Sequence, residues 1–210
     1  MSAALSRFVH VHLPPPAGST RTQTVLLLHG TGGNEHDLLS IGATIAPGAR
    51  LLGVRGQVLE GSMPRFFRRL AEGVFDEVDL TQRASDLAEF IGAASEAYAF
   101  DAGSVLAIGY SNGANIAAAL LLLQPGVLSG AVLFRAMLPL VPATVPRLDG
   151  VRVLMVEGQH DPIVPAENAE RLAALLREAG AAVTLHWERA AHGLTPPDIE
   201  AAQRWVAALP

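Results

Sequence analysis

Three short segments of the chain carry the residue types needed for nucleophilic catalysis. The range Gly109–Gly113, with the sequence Gly-Tyr-Ser-Asn-Gly, contains the hydroxyl of Ser111, while Asp161 and His192 lie further along the chain. A serine hydroxyl becomes a strong nucleophile when a neutral imidazole takes its proton and a carboxylate orients that imidazole. The three segments therefore predict a catalytic triad of Ser111, His192 and Asp161. Its chain order, serine then acid then histidine, differs from the two common orders of serine proteases.

The context of Ser111 strengthens this prediction. A G-x-S-x-G match by itself is weak, but this one lies between an apolar strand predicted at 104–109 and a helix predicted at 113–123. A strand-to-helix turn of this kind exposes the serine on a strained backbone, and only glycine leaves room on both sides. The alternative is a glycine-rich helix start that is capped by a serine.

A second glycine-rich segment, His29–Asn34, directly follows a buried strand predicted at 24–29. Its glycines would let the backbone face a ligand, so we expect the backbone N–H groups of Thr31 and Asn112 to form an oxyanion hole. A phosphate-binding loop is disfavoured because both common glycine signatures and a nearby lysine are missing from the sequence. A plain turn remains the alternative.

Residues 56–79 form a long stretch without clear periodicity, and we expect substrate choice to depend on it. It is either a lid or binding loop, or a short amphipathic helix at 64–72 with solvated arginines. In the first case Phe66 would line an acyl pocket, and Arg55 or Arg65 would bind a carboxylate or phosphate. Arg135 follows an apolar strand, so it would either anchor a substrate anion or pair with a buried carboxylate.

The remaining pattern shows how the chain would position these residues, because strands alternate with helices along it. Such alternation predicts parallel strands joined by right-handed crossovers, with the reactive loops gathered at the carboxyl ends of the strands. We therefore predict one domain over residues 1–210, an α/β fold with three layers and a mostly parallel sheet flanked by helices. The predicted strands lie at 8–12, 24–29, 50–54, 104–109, 130–134, 151–157 and 183–188, and the predicted helices at 37–45, 81–98, 113–123, 167–178 and 198–209.

Composition excludes several other classes of protein. Hydrophobic residues make up 50% of the 210 and charged residues 17%, which is too apolar for a disordered chain. The longest apolar run, Ile116–Leu123, is too short to span a membrane. The absence of cysteine excludes thiolate metal sites and a cysteine nucleophile, and the net charge of -5 argues against nucleic acid as a partner. We expect a cytoplasmic protein without a metal site.

The chain resembles the phospholipase/carboxylesterase family of α/β-hydrolases, which includes small bacterial carboxylesterases and acyl-protein thioesterases. The similarity rests on the segments His29–Glu35, Met63–Leu70, Gly109–Asn115, Phe134–Met137 and Gly158–Pro162. It implies an α/β-hydrolase fold and no cofactor. It also implies that the serine of the triad is the nucleophile, the histidine the base and the aspartate its orienting group.

One position departs from the family pattern. Relatives often have glutamine after the nucleophile, whereas this chain has Asn112, which puts the acyl pocket in doubt but leaves the backbone donor in place. We expect a serine carboxylesterase that hydrolyses small-molecule esters through an acyl-enzyme on Ser111. A thioesterase or lysophospholipase on the same triad is one alternative, and a non-catalytic binding protein with this fold is another. The sequence leaves open whether the protein is a homodimer.

Overall fold

A mostly parallel β-sheet forms the centre of the structure, a computed structural model that describes residues 2–209. The strands are β1 (His10–Leu13), β2 (Thr24–Leu28), β3 (Arg50–Val54), β4 (Val58–Glu60), β5 (Met63–Arg65), β6 (Arg69–Ala71), β7 (Val74–Phe75), β8 (Val105–Tyr110), β9 (Gly130–Phe134), β10 (Arg152–Gly158) and β11 (Ala182–Glu188). Seven of them pair in the order β1-β3-β2-β8-β9-β10-β11, and within this sheet only β1 and β3 pair antiparallel. The mostly parallel sheet that the sequence predicts is therefore confirmed.

Helices cover both faces of this sheet. They are α1 (Ala3–Ser6), α2 (Leu39–Ile45), α3 (Glu77–Tyr98), α4 (Asn112–Leu123), α5 (Ala166–Glu178) and α6 (Pro196–Ala207). Alternate side chains of β2 point to opposite faces, so Val25 and Leu27 join the core under α2 and α6. Leu26 and Leu28 join the larger core under α3, α4 and α5. This arrangement confirms the predicted three layers.

Helix α4 runs behind the sheet from the end of β8, and every residue from Asn112 to Leu122 is buried. Its run of alanines allows the helix to pack closely on the sheet, because small side chains bring two backbones together. Helix α3, which packs against α4, begins at Glu77 rather than at the predicted residue 81, since the Asp76 carboxylate caps its first turn. Within residues 2–209, no helix is both long and apolar enough to cross a membrane.

The topology of the sheet defines where a site can form. In the sheet, β3 lies on one side of β2, and β8, the next strand of this sheet along the chain, lies on the other side of β2. Neighbouring strands whose connections leave in opposite directions open a crevice at their carboxyl ends, where ligands bind in open α/β sheets. The loop that begins at His29 follows β2, and Ser111 follows β8, so both face this crevice.

Residues 56–79 do not contain the short amphipathic helix that was one of the two alternatives. They form two small antiparallel hairpins, β4–β5 and β6–β7, and the helix predicted at 64–72 is wrong. Phe66 and Phe67 between the hairpins are buried, with 2% and 0% of their surface exposed. The hairpins therefore form a packed part of the domain rather than an irregular loop.

Candidate active site

Ser111 occupies a strained turn between β8 and α4. Its backbone has φ 52° and ψ -114°, a region that residues with a side chain rarely adopt. The turn is tight, since a Cβ atom added to Gly109 would lie 2.5 Å from the carbonyl oxygen of Gly113. A Cβ atom on Gly113 would overlap the carbonyl group of Leu28 at the end of β2. The flanking glycines are thus required for this turn to pack against the neighbouring strand.

Ser111, His192 and Asp161 form one continuous row of hydrogen bonds. The Nε2 atom of His192 lies 2.9 Å from the hydroxyl oxygen of Ser111, and its Nδ1 atom lies 2.8 Å from Oδ2 of Asp161. A carboxylate can only accept, so Nδ1 carries the proton and Nε2 is left to accept from the serine hydroxyl. The Asp161 side chain is 1% exposed, and its other oxygen accepts from the backbone N–H groups of Ile163 and Val164.

Backbone contacts join the two loops that carry the aspartate and the histidine. The N–H group of Gln159 donates to the carbonyl of Glu188 at 2.8 Å, and that of His160 donates to Ala190 at 3.0 Å. At Gly158 the loops lie so close that an added Cβ atom would be 2.5 Å from the carbonyl oxygen of Ala191. The parallel strands β10 and β11 therefore set the distance between acid and base.

Two side chains, from the last residue of β8 and from the residue after β9, hold the carbonyl groups around His192. The Tyr110 hydroxyl donates to the carbonyl of His192 at 3.2 Å. Arg135, whose side chain is completely buried, donates from Nε to Ala191 at 2.9 Å and from Nη2 to Gly193 at 3.2 Å. It also forms a buried ion pair with Asp198, at 2.8 Å. Arg135 therefore pairs with a carboxylate, and its expected alternative role as an anchor for a substrate anion is not supported.

Thr31 and Asn112 lie on opposite sides of the crevice, after β2 and within the Ser111 turn. Among the hydrogen bonds of residues 2–209, neither backbone N–H group has an acceptor. Below the first loop, His29 accepts from the N–H group of Gly56 through Nε2 at 3.0 Å and donates from Nδ1 to Gly30 at 2.6 Å. Burial lowers the pKa of His29, which keeps this imidazole neutral and in a structural role.

The segment Pro64–Phe66, at the end of β5, contacts both predicted oxyanion residues. The carbonyl of Pro64 accepts from the N–H group of Gly32 at 2.9 Å, and Arg65 donates from Nη1 to the Thr31 hydroxyl at 2.6 Å. The N–H group of Phe66 donates to the side-chain oxygen of Asn112 at 2.7 Å. The side chain of Asn112 therefore helps to position the backbone on which Ser111 lies.

A cavity of about 280 Å³ opens onto Ser111 and His192. Its wall combines apolar side chains with arginine, glutamate and asparagine. Among the residues expected to bind substrate, Arg65 lines this cavity, whereas Arg55, Phe66 and Arg135 do not. The lining residues are Thr31, Met63, Arg65, Arg69, Glu72, Gly73, Phe75, Tyr110, Ser111, Asn112, Asn115, Met137, Ile163 and His192.

Two of the expected substrate residues have other partners. Arg55 forms a two-point ion pair with Glu35, including a contact of 2.9 Å, and this contact lowers the pKa of Glu35. The ring of Phe66 packs against His29 with its centroid 4.8 Å away, in the core below the first loop.

A larger cleft of about 450 Å³ between α2 and α6 includes Ser40 but is lined by no histidine within residues 2–209.

Three residues that the sequence pattern does not predict also shape the site. They are Tyr110, described above, and the pair Asn115 and Met137 in the cavity wall. The side-chain oxygen of Asn115 accepts from the N–H group of Met137 at 2.8 Å, which joins the start of α4 to the loop after β9. The sequence contains one indication of their importance, because all three lie within the segments that carry the family resemblance.

Glu157, at the end of β10, is a buried acid close to this site. It is 1% exposed, one of its oxygens accepts from the N–H group of Ala136 at 3.0 Å, and the other has no partner within the described residues. Burial raises the pKa of Glu157 well above its ordinary value, against the opposing effects of the hydrogen bond from Ala136 and of the charge on Arg135. The group is therefore protonated in the folded protein over a pH range in which it is ionised in the unfolded chain.

We expect Glu157→Gln to remove a pH dependence of stability. Because the folded pKa is raised, unfolding of the wild type releases a proton between about pH 4.3 and the folded pKa, and the stability of the wild type falls as pH rises across that range. Each unit of pKa difference corresponds to about 1.4 kcal/mol. In urea unfolding between about pH 5 and pH 9, the free energy of unfolding of the variant should increase relative to that of the wild type as the pH rises. Glu178→Gln, at an exposed position, is the control, and parallel curves for Glu157→Gln and wild type would contradict the assignment.

The chain is similar to known proteins over most of its length. Residues 58–209 match the family described as Phospholipase/Carboxylesterase. The chain is 50% identical over 186 residues to MhqD of Bacillus subtilis, a protein named as a hydrolase, and the match covers 89% of this chain and 93% of that one.

Solved structures give the same result for the fold. The crystal structure of the Bacillus cereus carboxylesterase is 44% identical, has a TM-score of 0.92, and the match covers 98% of this chain and 99% of that one. A carboxylesterase from Mesorhizobium loti is 29% identical with a TM-score of 0.89, covering 96% and 95% of the two chains. The likeness therefore extends over nearly the whole chain, in sequence and in fold.

Proposed function

Because the chain belongs to the phospholipase/carboxylesterase family of ester-hydrolysing enzymes, we propose that it is a serine carboxylesterase with Ser111 as its nucleophile. The observation that supports this most directly is the row of contacts from the serine hydroxyl through His192 to Asp161, at 2.9 and 2.8 Å. A hydroxyl, a neutral imidazole and a buried carboxylate in this order are what acyl transfer to serine requires.

In the first half of the proposed reaction, the hydroxyl oxygen of Ser111 attacks the ester carbonyl while Nε2 of His192 takes the proton. Asp161 stabilises the imidazolium that forms. The carbonyl oxygen becomes an oxyanion, which the N–H groups of Thr31 and Asn112 bind. One such donor typically lowers the barrier by about 3 to 4 kcal/mol. The positive end of the dipole of α4, directly behind the serine, adds to this stabilisation.

In the second half, the tetrahedral intermediate collapses to an acyl-enzyme. His192 gives its proton to the leaving alcohol and then takes a proton from water, which attacks the acyl group on Ser111. The second tetrahedral intermediate releases the acid, and the proton on His192 returns to the serine oxygen. Each proton moves through the same imidazole, so the site needs no cofactor for this chemistry.

The size of the cavity supports small esters as substrates. About 280 Å³ holds a short acyl group and a short alcohol, whereas the long chain of a lysophospholipid would extend into solvent. Each CH₂ group that is buried adds about 0.8 kcal/mol of affinity, and those outside the cavity would not contribute. The same triad would also cleave thioesters, which remain the alternative substrates.

A fluorophosphonate probe tests the proposal directly, because it reacts with a serine only when a base activates the hydroxyl. We expect one label per chain, on the peptide that contains Ser111, with loss of labelling in Ser111→Ala. Ser40→Ala is the matched control, since Ser40 lies in a cleft without a histidine and its loss should leave labelling unchanged. A wild-type protein that takes no label would instead fit a binding protein that has kept the fold.

A further inference from the structure

The side chain of Arg65 is deeply buried and also borders the cavity at Ser111. Its side chain is 4% exposed, and it contributes to the wall of the same cavity as Ser111 and His192. Its Nε atom donates to the carbonyl of Phe67 at 3.2 Å, and Nη1 donates to the Thr31 hydroxyl at 2.6 Å. The remaining nitrogen, Nη2, has no acceptor among residues 2–209, although guanidinium nitrogens can all donate.

The positive charge of Arg65 is only partly balanced by its neighbours. Its nearest carboxylate belongs to Glu60, 3.5 Å from Nε, but Arg69 binds that carboxylate at two points, 2.9 and 2.6 Å. Glu72 at the cavity rim is exposed to solvent. Burial and the nearby Arg69 lower the pKa of Arg65, so the charged form would gain from an anion in the cavity.

A second donor on this wall is also without a partner. The side-chain nitrogen of Asn112 is buried and has no acceptor within the described residues, while its oxygen is bound to Phe66. An incompletely paired guanidinium on the cavity wall, with a buried unpartnered donor beside it, favours a ligand that supplies acceptors and negative charge. A carboxylate meets both conditions, because its two oxygens accept from a guanidinium in a fixed geometry.

We propose that Arg65 binds a carboxylate of the substrate, and that the enzyme acts on small esters that carry a free carboxylate a few atoms from the ester carbonyl. This inference rests on the proposed function, because it takes Ser111 as the reacting group. Arg65 is then a specificity-determining residue, while its contact with Thr31 also supports the backbone of the oxyanion loop.

The test compares esters that differ only in charge. Monoethyl succinate carries a carboxylate on the acyl side, and ethyl levulinate has a methyl ketone in its place. Acetoxyacetate and acetoxyacetone form the matching pair for the alcohol side. In a pH-stat assay, we expect wild type to favour the carboxylate member of at least one pair by about tenfold or more in kcat/KM. Arg65→Gln should remove this preference, mainly through KM for the charged ester, and Arg65→Lys should keep part of it.

Thr31→Val distinguishes the two roles of Arg65, binding of the substrate carboxylate and support of the oxyanion loop. It removes the hydroxyl that contacts Arg65 but leaves the guanidinium in place. We expect it to lower turnover of both members of a pair equally. Wild type that hydrolyses the neutral esters as well as the charged ones would overturn this inference and leave the proposed carboxylesterase standing. A protein that hydrolyses none of these esters and takes no fluorophosphonate label would overturn both.

Discussion

Ser111→Ala is expected to lower kcat for p-nitrophenyl acetate by about 10⁴-fold or more. The substitution removes the oxygen that lies 2.9 Å from His192 and leaves nothing for the imidazole to activate. Alanine keeps the Cβ atom, so the backbone strain at φ 52° is the same in both proteins. The unfolding midpoint in urea should therefore change little.

The triad should also behave as a unit. Because the serine and the histidine act in the same step, Ser111→Ala combined with His192→Ala should be no slower than either single variant. Stopped assays with purified protein, corrected for spontaneous hydrolysis of the ester, measure all three. The nucleophile assignment fails if Ser111→Ala retains turnover within about tenfold of wild type.

Arg135→Met is expected to destabilise the protein by about 3 to 5 kcal/mol, because it leaves the carboxylate of Asp198 buried without its partner. The side chain of Asp198 is 0% exposed and also accepts from the backbone and the hydroxyl of Thr195 at the start of α6. In addition, the carbonyls of Ala191 and Gly193 lose their donors. We therefore expect kcat to fall together with stability.

A double substitution distinguishes these two effects. Arg135→Met with Asp198→Asn removes the buried charge, so it should recover part of the free energy of unfolding that Arg135→Met loses. Turnover should stay low, because the loop around His192 still lacks the guanidinium. Arg152→Met, at an exposed position, is the control for loss of an arginine. A loss of less than about 1 kcal/mol in Arg135→Met would show that the pair contributes little.

The sheet and the convergence of Ser111, Asp161 and His192 could be predicted from sequence for one physical reason. Buried parallel strands form nearly continuous apolar runs, and β2 and β8 are of this kind. Residues in the loops that follow parallel strands lie at the carboxyl edge of the sheet, so Ser111, Asp161 and His192 could be assigned to one site without any distances. Alternation of strands with helices was enough to predict the three layers.

The hairpins and the direction of individual arginine side chains could not be predicted in this way. Strands β4 to β7 are two or three residues long, which is too short to show a period, so the sequence of 56–79 is compatible with a loop or a helix. Whether Arg135 faces the cavity or the core depends on the partner Asp198, which lies 63 residues further along the chain. The same holds for Arg55, which pairs with Glu35.

The attachment of Pro64–Phe66 to both predicted oxyanion residues has a consequence for laboratory evolution of this enzyme. A library that randomises this segment would alter selectivity and turnover together. The segment borders the cavity, and it also forms hydrogen bonds that hold the loop of Thr31 and the side chain of Asn112 in place. The hairpin β6–β7 contributes Phe75 to the cavity wall without such contacts, and it is therefore the better region in which to diversify substrate range.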